Sequence, residues 1–548
     1  MICYAYRVGK IHQNAWILIF ISAILQILIF PLPNLYFLGW IALAPLLIAL
    51  LRARRPNTLQ FTEGVKLLPA TPLQAFLLAY VCGILWYAGT CYWIYSTMHQ
   101  YGGLSTLAAI GVLILFCLYL ALYHGLFGLV ISLLADSSSF SRNALLLAPP
   151  VWVAVELART RVTGFPWDLL GISQVDNIPL SRIASFTGVY GLSFEILIVN
   201  AALAAALLVR REKRTALFSA AIGAAIVLQA GSLVSAPEFP ADHTATLVQS
   251  NIPAIDERDW TREYFETTVQ ELTKLSEPVL NGAKLGVSAP STAGTASVKT
   301  SGLVVWPESP APFYDNDSPF RDALSTLARQ TGNWVLAGDV ALYDEGKPGQ
   351  ALFNSASLVN PAGEFTARYD KVHLVPFGEY VPFKRIFSFA GGLTQQVGDF
   401  SSGNSRAPLQ ADRTKLGVFI CYESIFPDEI RQFAKNGAQV FVNLSNDGWY
   451  GDSGAYAQHL KQSRMRAVEN ARWLLLDTNT GVTASVDPYG RIVASAPRKV
   501  RTALQAPYSL SSETTFYTRH GDWFAYLCAI ISLAALFMRL PFLKQRKS

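Results

Sequence analysis

Long apolar runs alternate with short polar connectors through the first 235 residues of this 548-residue chain. Seven of the runs are apolar enough to form helices that cross or enter a bilayer, for which about 20 residues are needed. An eighth lies close to the carboxyl terminus. The runs span residues 15–30, 35–51, 73–95, 104–134, 144–157, 182–209, 216–234 and 523–542. The pattern predicts a multi-pass α-helical membrane domain of seven helices in residues 1–235, with a last transmembrane helix and a basic tail in residues 522–548.

Residues 236–521 show a different pattern, in which short buried strands alternate with amphipathic helices. The expected strands are 246–249, 303–306, 335–338, 418–420, 440–444 and 473–476, and the expected helices are 263–274, 319–330, 428–435 and 456–472. Turn sequences at 360–363 and 487–490 predict two hairpins. Residues 281–302 are rich in Gly, Ala, Ser and Thr, which predicts a flexible surface insertion. Together these elements predict a layered α/β domain.

Charge is distributed unevenly between the two regions. Charged residues make up 15% of the chain, and only seven of the 38 acidic residues precede residue 236. The basic residues form clusters beside apolar runs, at 52–55, 210–214 and 544–547. Such clusters mark cytoplasmic loops, so eight crossings from a cytoplasmic N-terminus place residues 236–521 outside the membrane. In a bacterial cell this predicts an inner-membrane protein whose α/β domain faces the periplasm, and the clustered charge does not indicate binding to nucleic acid.

Cysteine usage singles out one residue in the α/β region. Of six cysteines, only Cys421 lies in residues 236–521, so this region forms no internal disulfide. Neither the cysteines nor the histidines have the spacing of metal ligands, and we expect no metal and no cofactor. Cys421 ends a buried run and is followed by Tyr422 and Glu423. A lone cysteine in this position is either a small buried hydrophobe or a nucleophile held at the end of a strand.

Two further polar signals lie at strand ends and precede Cys421 in the chain. Glu308 follows the run Leu303-Val-Val-Trp-Pro, and Lys371 lies in Tyr369-Asp-Lys-Val-His-Leu-Val-Pro-Phe-Gly-Glu379. A glutamate, a lysine and a cysteine in this order resemble the nitrilase superfamily, whose members fold as an αββα sandwich. The resemblance implies that fold for the α/β region.

Other motifs narrow the resemblance to the apolipoprotein N-acyltransferase family, the membrane-bound branch of that superfamily. They are the insertion of the α/β region before the last apolar run and the segments Thr163-Gly-Phe-Pro-Trp167, His373-Leu-Val-Pro-Phe-Gly-Glu379, Ile420-Cys-Tyr-Glu423 and Ser445-Asn-Asp-Gly-Trp-Tyr-Gly451. The resemblance covers nearly the whole chain. It is specific because several independent motifs occur in one order.

The resemblance also implies roles for individual side chains. Cys421 is the expected nucleophile, Glu308 the general base and Lys371 the cation beside the developing oxyanion. A carboxylate that accepts the thiol proton and an ammonium that favours the anion are both expected to raise the thiolate fraction. Five further residues are expected to bind substrate or support the site: Glu379 as a second acid near Lys371, Tyr422 and Glu423 beside the nucleophile, Trp449 on a mobile lid, and Trp260 in contact with substrate.

The implied reaction moves an acyl chain from a membrane phospholipid to Cys421 as a thioester. The N-terminal amine of a diacylglyceryl-cysteine apolipoprotein then accepts the chain, so the kinetics are ping-pong, and the enzyme is expected to be a monomer. Two alternatives remain open at this point. A membrane-bound amidase that uses water as acceptor would need the same catalytic residues, and a transporter or lipid-binding protein would carry ionisable groups inside the apolar runs, where Glu195 is the main candidate.

Overall fold

The computed structural model describes residues 10–55, 67–135, 142–208, 211–234, 237–253, 261–277, 302–308, 313–343, 350–380 and 400–545. Trp260 and residues 281–301 of the predicted insertion lie outside these ranges. Contacts divide the chain into two compact units. The helical unit comprises Met1–Tyr92, Ile110–Ser235 and Asp522–Ser548, and the α/β unit comprises Trp93–Ala109 and Ala236–Gly521.

Helices occupy each of the eight predicted apolar runs. The helices before residue 235 are α1 Gln13–Leu28, α2 Gly39–Ala42, α3 Ala44–Leu51, α4 Pro72–Thr90, α5 Trp93–Ser96, α6 Thr106–Leu134, α7 Arg142–Ala158, α8 Ile178–Ser181, α9 Ala184–Thr187, α10 Val189–Leu208 and α11 Arg211–Ala230. In the described part of the chain, four helical stretches are long and apolar enough to cross a membrane: Pro72–Thr90, Thr106–Leu134, Val189–Leu208 and Lys213–Leu233. Shorter apolar helices occur at Gln13–Leu28, Tyr36–Leu51 and Trp523–Arg539.

A buried asparagine compensates for the break between α2 and α3. Oδ1 of Asn200 accepts the backbone N–H groups of Leu43 and Ala44, each over 2.8 Å, and its Nδ2 donates to the carbonyl of Gly39 over 2.8 Å. Asn200 is fully buried. An apolar surrounding leaves an interrupted helix no water to satisfy its free backbone groups, so a side-chain amide has to do so. This explains how the second predicted run bends without exposing its backbone.

Ionisable side chains anchor the loop that carries the Thr163–Trp167 motif. Glu156 of α7 accepts the N–H of Leu170 over 2.8 Å, and Arg159 donates to the hydroxyl of Tyr87 over 2.9 Å. Both side chains are buried, and they line a cavity of about 20 Å³ inside the helical unit. Buried charges of this kind are retained when they are paired or hydrogen-bonded.

The α/β unit contains two six-stranded sheets. The strands are β1 His243–Gln249, β2 Leu303–Trp306, β3 Trp334–Tyr343, β4 Ala351–Val359, β5 Phe365–Asp370, β6 Leu409–Ala411, β7 Thr414–Ile420, β8 Val440–Ser445, β9 Leu474–Thr478, β10 Ala484–Val486, β11 Ile492–Ser495 and β12 Thr502–Tyr508. The first sheet has the order β12-β1-β2-β3-β4-β5 and the second the order β11-β10-β9-β8-β7-β6. Each sheet has three parallel strands at its centre, β1 to β3 in one and β7 to β9 in the other, with antiparallel strands at its edges.

Helices cover the outer faces of both sheets and produce four layers. The remaining helices are α12 Arg262–Ser276, α13 Ser318–Thr331, α14 Pro427–Lys435, α15 Ala455–Asn470, α16 Phe516–His520 and α17 Trp523–Gln545, the last of which belongs to the helical unit. Phe320 and Leu324 of α13 pack with Val304 on the first sheet. Ile430 and Phe433 of α14 belong to the same cluster as the side chains between the sheets. The αββα sandwich expected from the resemblance is confirmed.

The six strands predicted from sequence are the six parallel strands of the two sheets. Strands in the middle of a sheet covered on both faces are apolar along their whole length, which makes them visible as continuous runs. The hairpins predicted at 360–363 and 487–490 are also present, as β4–β5 and β10–β11. The edge strands β6 and β12 were missed because they are short or carry exposed positions between the buried ones.

Segment 93–109, which the sequence placed in the membrane domain, makes its contacts in the α/β unit. The ring of Trp93 packs edge-on against Tyr450 with centroids 5.3 Å apart, and Tyr101 packs against Trp449 at 5.4 Å. The hydroxyl of Thr97 donates to the carbonyl of Trp449 over 3.0 Å. Hydropathy alone does not reveal such contacts, because aromatic side chains suit a membrane interface and a protein interior equally well.

One buried carboxyl on β3 makes stability depend on pH. Burial raises the pKa of Asp339 to about 8, whereas an exposed aspartate titrates near ~3.9. The folded protein therefore holds a proton that the unfolded chain has lost between these values, and stability falls as the pH rises from about 4 to about 8. Asp339→Asn mimics the protonated acid. We expect it to be more stable than the parent by about 3–5 kcal/mol at pH 8, with the difference vanishing towards pH 4.

Thermal unfolding of both proteins in the same detergent at pH 8, 6 and 4.5 measures this difference. Asp322→Asn is the matched control for the loss of an aspartate as such, since Asp322 lies exposed on α13. A constant difference between Asp339→Asn and the parent across the three pH values would contradict the prediction.

Candidate active site

Cys421 is the first residue after β7 and starts a 3₁₀ turn that runs to Ile425. Its backbone has φ +50°, in the left-handed region that few residues other than glycine adopt. Such a conformation costs about 1–3 kcal/mol and persists where the surrounding structure enforces it, often at functional sites. The residue before it, Ile420, pairs with Leu444 of the neighbouring parallel strand β8. The thiol is thus held at the carboxyl end of a central strand, where the sequence predicted it.

Lys371 lies between two carboxylates. It follows β5 directly, and its Nζ is 2.9 Å from Oε1 of Glu379 and 3.3 Å from Oε1 of Glu308. Glu308 follows the end of β2, and Glu379 lies in the loop after Lys371. The Lys371 side chain is 1% exposed and each carboxylate 8% exposed. The stability of such a buried ion pair depends on where its partners lie, because each charge has lost its contact with water and is stabilised only by other groups of the protein.

Two asparagines that sequence reasoning missed complete this arrangement. Nδ2 of Asn354 on β4 donates to Oε1 of Glu308 over 2.8 Å and to Oε1 of Glu379 over 2.6 Å. The backbone N–H of Asn446, just after β8, donates to Oε2 of Glu308 over 2.7 Å. An asparagine near the middle of β4, a strand that is buried over most of its length, was the one available signal, because a buried amide needs partners. Asn446 acts through its backbone, so its side-chain type carried no signal.

The charges around Cys421 keep it protonated at rest. Burial and the Glu308 carboxylate raise the pKa of the thiol well above its ordinary value, and Lys371 only partly offsets them. Burial alone lowers the pKa of Lys371, but Glu379 and Glu308 outweigh it, so the ammonium is retained. As a charge, Glu308 disfavours the thiolate, because two neighbouring anions repel each other. The expectation that it accepts the thiol proton stays a prediction.

Glu423 connects the segment of the nucleophile to the segment of the lysine. Its carboxylate accepts the N–H of Ile420 over 2.7 Å, and the N–H groups of Val372 and His373 over 2.7 and 3.0 Å. The hydroxyl of Tyr369 donates to it as well, over 2.8 Å. A carboxylate with these partners fixes backbone on both sides of the site. Glu423 therefore supports the two backbone segments that carry Cys421 and Lys371.

Of the other predicted residues, Tyr422 follows Cys421 directly, Trp449 lies in the turn after β8, and Trp260 lies outside the described part of the chain. Tyr422 is buried, and its ring packs edge-on against Phe426 at 5.2 Å. Trp449 is half-buried in the 3₁₀ turn Asp447–Tyr450. Its proposed movement as a lid stays a prediction, and Trp260 lies outside the described residues.

Removing the amide of Asn354 is expected to disturb both carboxylates at once. Asn354→Ala loses two hydrogen bonds to charged groups, each worth about 1.5–3 kcal/mol, and we expect stability to fall by a similar amount and turnover by about 10- to 100-fold. Thermal unfolding and steady-state turnover measure the two effects.

The nearly isosteric Asn354→Asp changes the charge of the side chain at this position while keeping its volume. It replaces the shared donor by a third carboxylate, so it is expected to be less active than Asn354→Ala. Parental turnover in the aspartate variant would show that the Asn354 donor has no part in the site.

Known proteins match both units. Residues 22–202 match the family model of the apolipoprotein N-acyltransferase N-terminal domain, and residues 244–516 match that of carbon-nitrogen hydrolase. The apolipoprotein N-acyltransferase of Geobacter metallireducens is 34% identical over 98% of this chain and 97% of its own length. That of Methylococcus capsulatus is 36% identical over 84% of this chain and 87% of its own. A solved structure, Saccharomyces cerevisiae Nit3, a member of branch 10 of the nitrilase superfamily, covers 50% of this chain and 93% of its own at 20% identity and a TM-score of 0.34.

Proposed function

Because this chain belongs to the apolipoprotein N-acyltransferase family and is a membrane acyltransferase, we propose that it completes bacterial lipoprotein maturation through a thioester at Cys421. The acyl donor is a membrane phospholipid, and the acceptor is the free N-terminal amine of a diacylglyceryl-cysteine apolipoprotein. The observation that carries the proposal is the ammonium of Lys371 held between Glu308 and Glu379, within electrostatic range of a cysteine with left-handed backbone.

The first half-reaction forms the acyl-enzyme. Glu308 accepts the thiol proton as Cys421 Sγ attacks the ester carbonyl of the phospholipid, so the thiolate exists only during attack. Lys371 faces the oxygen that becomes negative and stabilises the tetrahedral intermediate. When the intermediate collapses, the bond to the glycerol oxygen breaks, Glu308 returns the proton to that oxygen, and lysophospholipid leaves.

The second half-reaction transfers the acyl chain to nitrogen. The uncharged α-amine of the apolipoprotein attacks the thioester carbonyl, and Glu308 takes a proton from the nitrogen as the new bond forms. The C–S bond then breaks, and the amide leaves. The thiolate of Cys421 recovers the proton from Glu308, which restores the starting state.

The supporting residues act on this pair of steps in different ways. Glu379 holds Lys371 in place and is available to the incoming amine. Glu423 fixes the backbone around Cys421, and Tyr422 forms an aromatic wall beside the thiol. Trp449 closes over substrate as part of a lid, and Trp260 contacts substrate.

The membrane arrangement follows the charge clusters. Residues 1–235 form seven membrane helices, residues 522–548 add an eighth helix with a cytoplasmic tail, and residues 236–521 form the catalytic domain in the periplasm. Placement in the inner membrane gives the enzyme access to two substrates whose acyl chains keep them in the bilayer. The enzyme works as a monomer because one chain holds Glu308, Lys371 and Cys421.

An intact-mass experiment tests the function. The purified protein is mixed with phospholipid alone, and we expect its mass to rise by one acyl group, with release of lysophospholipid. Addition of a diacylglyceryl-cysteine lipopeptide is then expected to remove the adduct and produce an N-acylated peptide. Release of free fatty acid at the same rate with and without the lipopeptide would instead identify water as the acceptor.

A further inference from the structure

A second hydrogen-bonded group of side chains, in addition to that of Glu308, Lys371 and Glu379, contacts Cys421 in the α/β unit. It consists of Ser424 and Asp447 on the two 3₁₀ turns, Ser445 at the end of β8 and His459 on α15. Their exposed fractions are 0% for Ser424, Ser445 and His459 and 2% for Asp447. The group is therefore buried away from bulk solvent, so the positions of its protons depend on hydrogen bonds within the protein.

The partners of His459 determine its charge. Its Nδ1 lies 3.1 Å from Oδ1 of Asp447, and its Nε2 lies 3.1 Å from the carbonyl oxygen of Cys421 and 2.8 Å from the hydroxyl of Ser424. A carboxylate and a carbonyl only accept hydrogen bonds, so a ring protonated on both nitrogens fits these two partners, and the Ser424 hydroxyl can then accept from Nε2 as well. Burial alone lowers the pKa of His459, but Asp447 and the Cys421 carbonyl raise it above its ordinary value. These partners favour an imidazolium paired with Asp447.

Ser445 connects the pair of Asp447 and His459 to the sulfur of Cys421. Its hydroxyl donates to Oδ1 of Asp447 over 2.7 Å and also lies within hydrogen-bond reach of the Cys421 side chain. A hydroxyl has one proton and two lone pairs, so Ser445 accepts from the thiol while it donates to Asp447. When the thiol is deprotonated, the hydroxyl can turn to donate to Sγ, because His459 still satisfies Asp447.

We propose that Asp447 and His459 are positioning residues for Cys421, an inference that rests on the proposed role of Cys421 as nucleophile. The imidazolium holds the carbonyl of the left-handed Cys421 backbone, and its positive charge offsets that of the Asp447 carboxylate, which raises the pKa of the thiol. Asp447 keeps the imidazolium protonated and, through Ser445, orients the sulfur.

Alkylation of Cys421 by iodoacetamide tests the inference without any lipid substrate. His459→Gln keeps one amide donor but loses the charge, so the thiolate fraction at neutral pH is expected to fall. We expect the alkylation rate, followed by mass spectrometry of the Cys421 peptide, to fall about tenfold at pH 7.5 and the midpoint of its rise with pH to move upward accordingly. The other groups that act electrostatically on Cys421 or His459 include Glu308, Lys371 and Tyr450, and all are retained.

A purely structural role would change the alkylation rate without moving the midpoint of this pH profile, and that result would overturn the inference. Ser445→Ala guards against misfolding of the histidine variant, because it removes only a hydroxyl. It is expected to shift the profile in the same direction by about threefold, and an unshifted profile would again overturn the inference. Ser485→Ala is the matched control, a buried serine of the same sheet that donates to the Pro507 carbonyl.

The readouts separate this inference from the proposed function. A shifted alkylation profile in a protein that fails to acylate the lipopeptide contradicts only the proposed function. Full acylation by the parent together with an unshifted profile in both variants contradicts only the roles of Asp447 and His459.

Discussion

Cys421→Ala is expected to abolish both the acyl adduct and the N-acylated product. The substitution removes the only thiol in residues 236–521, and no other described group is placed to form the thioester. Loss of a covalent nucleophile costs an enzyme about 10⁴-fold in turnover or more. The fold should survive, because alanine fills most of the volume of a buried cysteine, although it keeps the same left-handed φ of +50°.

The measurement combines intact mass after exposure to phospholipid with quantification of N-acylated lipopeptide. Cys117→Ala serves as the matched control, since Cys117 is a buried cysteine of α6 in the helical unit. It should retain the adduct and the product. An alanine variant at Cys421 that still produced N-acylated lipopeptide at the parental rate would exclude the thioester mechanism.

Replacing Lys371 by methionine is expected to reduce activity and stability together. The activity should fall about 10²- to 10³-fold, because the tetrahedral intermediate loses its cation. The stability should fall by about 3–5 kcal/mol, because two buried carboxylates lose their common partner. Those carboxylates lie 2.9 and 3.3 Å from Nζ and are each only 8% exposed, so neither can reach water easily once the ammonium is gone.

A second substitution separates these two losses. In Lys371→Met combined with Glu379→Gln, one of the unpaired charges is removed, so most of the stability should return while activity stays low. Thermal unfolding and lipopeptide acylation are measured on the parent, both single variants and the double variant. Lys435→Met, at an exposed position on α14, controls for the loss of a lysine as such. Recovery of activity along with stability would mean that Lys371 serves the fold and not the reaction.

The candidate site was predictable from sequence as far as its residues follow strands. Glu308, Lys371 and Cys421 each come after a strand, and the apolar runs β2 and β7 made two of those strands visible. Strand β5 has alternating exposure, so it was recognised only through its turn. The order of the three residues then supported the resemblance to a family. Their proximity could not be derived, because 63 and 50 residues separate them along the chain.

Asn354, Asn446 and His459 could not be identified from sequence for a related reason. Asn354 reaches Glu308 and Glu379 because β4 lies beside β3 and β5 in the sheet. His459 reaches the carbonyl of Cys421 because α15 packs against the turn after β7. A buried polar residue on a strand or helix gives no indication of its partner until the elements are packed.

Local patterns determined the elements of this protein. Hydropathy over about 20 residues identified the apolar helices, and short apolar runs identified the parallel strands, because burial on all sides requires apolar residues at every position. Tertiary structure decided the protonation states of the buried side chains and which segments of the chain contact one another. The charges on Lys371 and His459, and the resting thiol of Cys421, depend on which carboxylates lie within a few ångströms. That distance is a property of the packed fold, since electrostatic energy in a buried site is set by neighbours in space and not in sequence.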